Sequence, residues 1–399
     1  MMPSTPPLPL ETLEEIASYL RAPDLAALCR ANRRFLDVAR PLLWREIPID
    51  VVLDEKVNEE GWEEERSPFF RYTQASLGLL QSLQSGKHLR PLPRRAIFST
   101  VVGNATAIFT TADCALYSIA RLCPNVDALT AAEGQEANFN AIVREGIFEG
   151  RGGIKAYDPG LLSLDSWKAI RQEQTTIRDL AFTSGRGPRS ADIEHFMTAF
   201  TSLRLRSLSI RHFAPFDDEN RRIARKVFSR LTDSSSATLT SLHTLFDYAI
   251  ISSLHTFTTL QHVSFLFLNT PHLPEQLEDL PSVVASAPTL RSLRIRVEHD
   301  AKLSAKAILA LCNPKHDGLA QKLPPTLGLL EIPAGPLPSS LLIFVTAIQA
   351  PRLHTLIFSR VKETLLISSE EPPFSRFGEL EALCREKGIN LVSDRGETL

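Results

Sequence analysis

The sequence predicts an α/β protein in two parts: a three-helix module over residues 8–50, then an irregular solenoid in which each repeat adds one strand to a parallel sheet. Three observations carry this expectation. Residues 8–50 hold three short helical patterns separated by Pro and Asn. A motif of the form L-x-x-L-x-apolar returns eight times between positions 125 and 358. Helical patterns lie between its copies, and helix and strand in alternation mean parallel strands joined by crossovers.

In the first part, Pro9 starts a helix in which Leu13, Ile16, Ala17 and Leu20 share one face, while Glu14, Glu15 and Ser18 lie off it. Ala22-Pro23-Asp24 restarts the chain, with Pro near the first helical position and an acid in the first turn. Leu25, Leu28 and Cys29 form the apolar face of this second helix. Asn32 caps a third, which carries Phe35, Leu36, Val38 and Ala39 and which Pro41 ends, ahead of Leu42, Leu43 and Trp44. Helices of about ten residues are marginal alone in water. Three of them enclose only a small core, so the apolar surface left over calls for a partner.

Residues 1–7 read as a disordered tail and residues 51–75 as an acidic linker. Seven acids (Asp54, Glu55, Glu59, Glu60, Glu63, Glu64 and Glu65) fall between positions 54 and 65. The expectation is a solvated loop, with an acidic binding strip as the alternative. Residues 76–399 form the repeat domain, opened by the helical stretch SLGLLQSLQSG that Gly86 ends.

The strand motifs are NVDALTA, TIRDLAF, RLRSLSI, TLTSLHT, TLQHVSF, TLRSLRI, TLGLLEI and RLHTLIF. Their central apolar residues are Leu129, Leu180, Leu208, Leu242, Val263, Leu293, Leu330 and Leu356, at intervals of 51, 28, 34, 21, 30, 37 and 26. Most intervals lie near, or somewhat above, the length of leucine-rich repeats. The interval of 51 leaves room for a further unit or an insertion. Between the motifs run helical segments such as CALYSIARLCPN, ADIEHFMTAFTSL, DENRRIARKVFSRL, LEDLPSVVASAP, AKAILALCNP and SLLIFVTAIQAP, with Pro124, Pro288 and Pro351 just ahead of the next strand. The segment ELEALCREKG followed by Ile389–Val392 reads as a last helix and strand. The competing reading is a single doubly wound α/β domain with accidental motif matches.

Residues 8–50 resemble an F-box. Leu8-Pro9, Glu11, Leu13, Ile16, Leu20, Asp24-Leu25 and the closing Pro41-Leu42-Leu43-Trp44-Arg45-Glu46-Ile47 follow that family's pattern, with Phe35 where many members have Trp. Cys123-Pro124-Asn125 is similar to the CPN of F-box proteins with leucine-rich repeats, although the Asn or Cys that such repeats place after each strand is mostly missing. The resemblance implies that Leu8, Pro9, Leu13, Ile16, Leu20, Leu25 and Leu28 are shared between the module's core and a small adaptor protein. It implies that the adaptor hangs from a cullin scaffold of a ubiquitin ligase, with the repeats binding the target. Such a subunit acts by position: a tether raises the local concentration of target lysines, and a rigid spacer sets their reach.

Composition and motifs narrow the alternatives. A formal net charge of −2 lacks the positive field that nucleic-acid binding draws on. No apolar run is long enough for a membrane helix, and MMPSTPPLPLETLEE has neither the basic nor the apolar region of a secretory signal, so a cytoplasmic or nuclear location is expected. Cys29, Cys114, Cys123, Cys312 and Cys384 form no CxxC pair and read as reduced core thiols. No phosphate loop, dinucleotide fingerprint, nucleophile elbow or H-E-x-x-H site is present. The repeated Leu-His-Thr at His243, His255 and His354 follows from the repeat rather than from a metal site. No cofactor is expected. The leading function is a non-catalytic substrate receptor. Two rivals stand beside it: an F-box scaffold acting outside ubiquitination, and an α/β enzyme with a helical cap.

Strand side chains alternate, so residues between the two core positions of each motif point outward. Ser207, Ser209 and Arg211 do so on one strand, and Ser292, Arg294 and Arg296 on another. Arg211, Arg294 and Arg296 are therefore expected on neighbouring strands as one basic patch suited to an acidic or phosphorylated target segment. A plain solvated face is the alternative.

Overall fold

A computed structural model of the chain describes residues 8–53, 70–100, 119, 122–131, 152–160, 164–184, 202–212, 228–230, 233–246, 254–267, 273–297, 318–334, 338–360 and 377–393. These fall into two compact units, residues 1–177 and 178–399.

The first unit opens with α1 (Leu10–Ser18), α2 (Ala22–Ala31) and α3 (Arg33–Leu43). Leu13, Ala17, Leu25, Val38 and Ala39 form their shared core, with Leu20, Leu28, Cys29, Phe35, Leu42 and Leu43 packed around it. Asn32 caps α3 as its sequence position predicts: its Oδ1 accepts from the Phe35 N–H at 3.0 Å. Pro41 does not end the helix. It sits inside the last turn, and α3 runs on to Leu43, where Trp44 and Arg45 donate back to Arg40 and Leu42. One missing N–H so close to a helix end costs a single hydrogen bond and leaves most of the ladder intact.

Next come β1 (Glu46–Leu53), β2 (Phe70–Tyr72), α4 (Gln74–Ser85), β3 (Arg95–Thr100), β4 (Ala128–Thr130), β5 (Ala156–Asp158) and α5 (Leu164–Gln172). The strands lie in the order β5-β4-β3-β1-β2, parallel except for the antiparallel β2. The stretch expected as a linker, 51–75, is thus strand and helix at its ends; its acidic centre lies outside the described residues. In β1 the residues Ile47, Ile49 and Val51 do alternate, but the strand follows the helical module directly and lacks the L-x-x-L motif; β2 has three residues and too little alternation to stand out. β5 and α5 fill the 51-residue interval after Leu129: Tyr157 pairs with Leu129 and takes the central position of a further unit. Its strand has three residues and no L-x-x-L signature, so the motif search passes over it. The turn ahead of it is held by the buried Glu173, whose Oε2 accepts from Ile154 N–H at 3.1 Å and Thr176 Oγ1 at 2.9 Å. Gly153 there has φ 70°, and a Cβ would meet Glu173 and Thr176 at 2.7 and 2.6 Å.

The second unit is a parallel sheet in strict sequence order: β6 (Asp179–Ser184), β7 (Ser207–His212), β8 (Ser241–Leu245), β9 (His262–Phe267), β10 (Ser292–Val297), β11 (Leu329–Ala334), β12 (Thr355–Arg360) and β13 (Asn390–Ser393). Helices α6 (Leu273–Ala285), α7 (Leu319–Lys322), α8 (Pro338–Ala347) and α9 (Phe377–Glu386) are the described crossovers. The helical readings over ADIEHFMTAF and AKAILALCNP lie outside the described residues. Register aligns Leu180, Leu208, Leu242, Val263, Leu293, Leu330, Leu356 and Leu391 as one row across all eight strands. All eight are buried. Sequential order and continuous register exclude the doubly wound alternative, in which strand order reverses at a switch point.

A row of threonines, each just ahead of a strand, links successive units. Thr238 Oγ1 donates to Leu205 O at 2.7 Å, Thr259 to Leu239 O at 3.0 Å, Thr289 to Leu260 O at 2.8 Å and Thr326 to Leu290 O at 2.7 Å. Each hydroxyl satisfies a turn carbonyl of the preceding unit. In the first unit Asn125 does the same, donating to Pro91 O at 2.6 Å. The last helix closes with a glycine cap: Gly388, φ 69°, donates to Arg385 O, and Ile389 donates to Cys384 O. Burial pushes the Cys384 thiol up to about 11, which keeps it protonated. Among the described residues no helix is long and apolar enough to cross a membrane, and no three His, Cys, Asp or Glu side chains come together as a metal site.

Candidate docking and recognition surfaces

The helical module divides the seven residues singled out for docking. Leu13 and Leu25 are 8% and 6% exposed and belong to its core; Leu20 and Leu28 pack against them half-buried. Leu8, Pro9 and Ile16 face out, Leu8 at 52% and Ile16 at 47%. The expectation that Ile16 shares the buried face of Leu13 and Ala17 therefore fails. The core is narrow, so Leu13 and Ala17, one turn apart, fill it and leave the neighbouring position outside. Two further apolar side chains join the exposed set: Leu10 at 45% and Tyr19 at 80%. Tyr19 lies off the Leu13 face, whereas Leu10 shares that face by its spacing of three and is exposed because it is the first residue of the helix.

Leu8 is held in place. The Arg34 guanidinium of α3 donates from Nη2 to the Leu8 carbonyl, so the start of α1 is tied to the third helix. Exposed apolar side chains on a fixed backbone lose little conformational freedom when a partner covers them.

On the second unit's sheet, the outward positions alternate with the core rows as expected. Arg211, Arg294 and Arg296 all stand on this face. They do not neighbour one another as expected. β8 and β9 separate β7 from β10, which puts Arg211 about 14 Å from Arg296 at ordinary strand spacing. His243 lies in the gap, its register position falling between Ser209 and Ser264. Desolvation first, then Arg296 and Arg211, lower its pKa, so it is neutral at pH 7.

The residue missed here is Glu331. It lies on β11 beside Arg294 in register and is only 4% exposed. Arg296 binds it through Nε at 2.8 Å and Nη2 at 3.1 Å, and Arg294 Nε approaches to 3.7 Å. This hydrogen bond holds the Arg296 pKa above its ordinary value. The expected patch of three arginines is thus partly neutralised on the β10 side. An acid in the outward phase of TLGLLEI was the available signal.

Residues 6–49 match the family model for F-box-like domains. No curated protein matches the chain. Among solved structures, the leucine-rich repeat-containing protein LegL7 of Legionella pneumophila aligns over 69% of this chain and 85% of its own, with 13% identity and TM-score 0.40. Yeast Rad7, in its complex with Elc1, aligns over 89% and 74% at 15% identity and TM-score 0.35. A Bacteroides fragilis protein aligns over 67% and 84% at 10% identity and TM-score 0.31. Residues 6–49 thus match an F-box-like domain, and the strands of the second unit form a parallel array in sequence order.

Proposed function

We propose that this chain is the substrate-receptor subunit of a cullin-RING ubiquitin ligase of the SCF type, acting in the cytoplasm or nucleus. The observation that carries the proposal is the coincidence of the F-box-like match at residues 6–49 with the exposed apolar set Leu8, Leu10, Ile16 and Tyr19. Burying one such side chain is worth roughly 1.5–3 kcal/mol, so four of them supply a docking face for an adaptor protein. Pro9 and the half-buried Leu20 and Leu28 border that face, while Leu13 and Leu25 support it from within. The array provides the target surface, with Arg211, Arg294 and Arg296 on its strands. The subunit needs no catalytic group, because holding a target lysine beside a charged enzyme is itself the rate gain.

The test is co-purification of adaptor and cullin with the full-length chain, wild type against I16D/Y19D. Capture of both by the wild type and of neither by the variant supports the proposal. Adaptor without cullin would instead support a scaffold outside ubiquitination, and equal capture by both chains would remove the F-box as the docking element.

A further inference from the structure

Arg33 and Arg34 open α3, where the helix's own amide dipoles favour an acid and disfavour a cation. The first turn of α3 holds no acid, so the electrostatics of the helix itself do not account for the pair. Asn32 caps the same turn, its Oδ1 accepting from Phe35 N–H at 3.0 Å, and Phe35 packs on the module's core. The backbone of Arg34 is thus fixed on both sides. From that base its side chain reaches 26 residues back along the chain, and Nη2 donates to the Leu8 carbonyl oxygen.

Leu8 stands just outside α1. Pro9 is the N-cap, in a polyproline-like conformation (φ −55°, ψ 152°), and no side chain caps the helix there. The Pro9 carbonyl accepts from Leu13 N–H at 3.2 Å, the first bond of the helical ladder. The Leu8 carbonyl lies one residue upstream of that ladder, beyond the reach of the helix's own N–H groups. Among the described residues, what holds it is the Arg34 guanidinium. The Leu8 side chain is nevertheless 52% exposed, at the head of the exposed set Leu10, Ile16 and Tyr19. A latched backbone with an apolar side chain left outside presents that side chain to a partner and does not bury it in the core.

We infer that Arg34 is a positioning residue for adaptor docking: its hydrogen bond to the Leu8 carbonyl holds the Leu8 side chain where the adaptor receives it. The inference rests on the receptor reading above and adds to it a residue that acts through another. A segment that samples several conformations loses affinity in proportion to the fraction in the binding one. Fixing one residue's backbone beforehand is equivalent to about five- to thirtyfold in affinity. The Arg34–Leu8 bond is exposed to solvent, which places the expected effect at the lower end, about fivefold. Arg33 supplies the control: it carries the same charge in the same turn and makes no such bond among the described residues.

The experiment measures binding of the full-length chain to the adaptor that wild type co-purifies, by surface plasmon resonance. The chains are wild type, R34A, R33A, L8A and L8A/R34A, with thermal melting of each. R34A should weaken binding about fivefold and R33A less than about twofold, both with the wild-type melt. The discriminating readout is coupling: once L8A has removed the presented side chain, adding R34A should cost less than about twofold further. A merely structural or electrostatic role would leave the R34A effect unchanged in that background. The inference is overturned by unchanged binding in R34A, by equal weakening in R33A, by the full R34A effect in the L8A background, or by a binding loss that a lower melt explains. No adaptor captured by wild type would remove the receptor reading and this inference together. Unchanged R34A beside a defeated I16D/Y19D would remove this inference alone.

Discussion

Arg296 grips Glu331 with two nitrogens, at 2.8 and 3.1 Å, across the β10–β11 step, and Glu331 is buried although its strand position faces outward. The guanidinium stems of Arg296 and Arg294 cover the carboxylate, so an outward site became an interior one. Removing Arg296 leaves a buried charge with only Arg294 at 3.7 Å. Arg296→Ala should therefore destabilise the array by about 1–3 kcal/mol, unlike an ordinary exposed charge at about 0–1 kcal/mol. Adding Glu331→Gln should recover part of the loss. A urea double-mutant cycle checks this, and additive effects of the two changes would show that the pair is not coupled.

The helical module separates binding from folding residue by residue. Ile16→Asp and Tyr19→Asp alter exposed positions and should abolish adaptor capture with the melting temperature unchanged. Leu13→Asp places a charge in the small core and should unfold the module, costing capture by a different route. Circular dichroism beside pull-down distinguishes the two. If Leu13→Asp stays folded, the core assignment is wrong.

The threonine row makes a claim about how the repeats are joined. Thr289→Val removes the hydroxyl that satisfies Leu260 O at 2.8 Å while keeping the side chain's shape. The expected cost is about 0.5–1.5 kcal/mol, with a similar figure for Thr259→Val. Chemical denaturation of each variant measures it. No change in either would mean that water satisfies these carbonyls equally well.

How much of this was legible is clearest at β8. The motif TLTSLHT is a weaker copy because Thr244 stands where the others carry an apolar residue, yet Leu242 keeps register with Leu208 and Val263 and the strand forms. The leucine row was readable because each unit must bury the same position against its neighbours. The threonine row was readable too, since Thr precedes the first Leu of four motifs, but a hydroxyl has no hydrophobic period to draw attention. β2 and β5 were not readable: three-residue strands carry too little alternation. Neither was the convergence of His262, Arg291 and Arg352 around one opening of the second unit, which comes about only through register between strands and turns. At Thr244 itself, the Oγ1 is fully buried with no hydrogen-bond partner among the described residues. Thr244→Val should therefore raise stability by about 1 kcal/mol, and a lower unfolding midpoint would reveal a partner for that hydroxyl.

The two histidines on the recognition face predict how stability follows pH. Burial and neighbouring arginines lower the pKa of His243 and, less buried, of His262. A histidine lowered in the folded state binds fewer protons there than in the unfolded chain, whose pKa is about 6.5. The neutral-state contribution is then fully present above about pH 6.5 and is lost as pH falls through the folded-state value. His243 has Arg296 and Arg211 around it, and His262 has Arg291 and Arg294, so protonation of either adds a cation to an already positive face. Carboxylates elsewhere give acid destabilisation of the same sign, so the readout is a difference. Urea midpoints between pH 7.5 and 5 should fall less steeply for H243N/H262N than for wild type. Parallel slopes would mean that neither ring is held neutral by the fold.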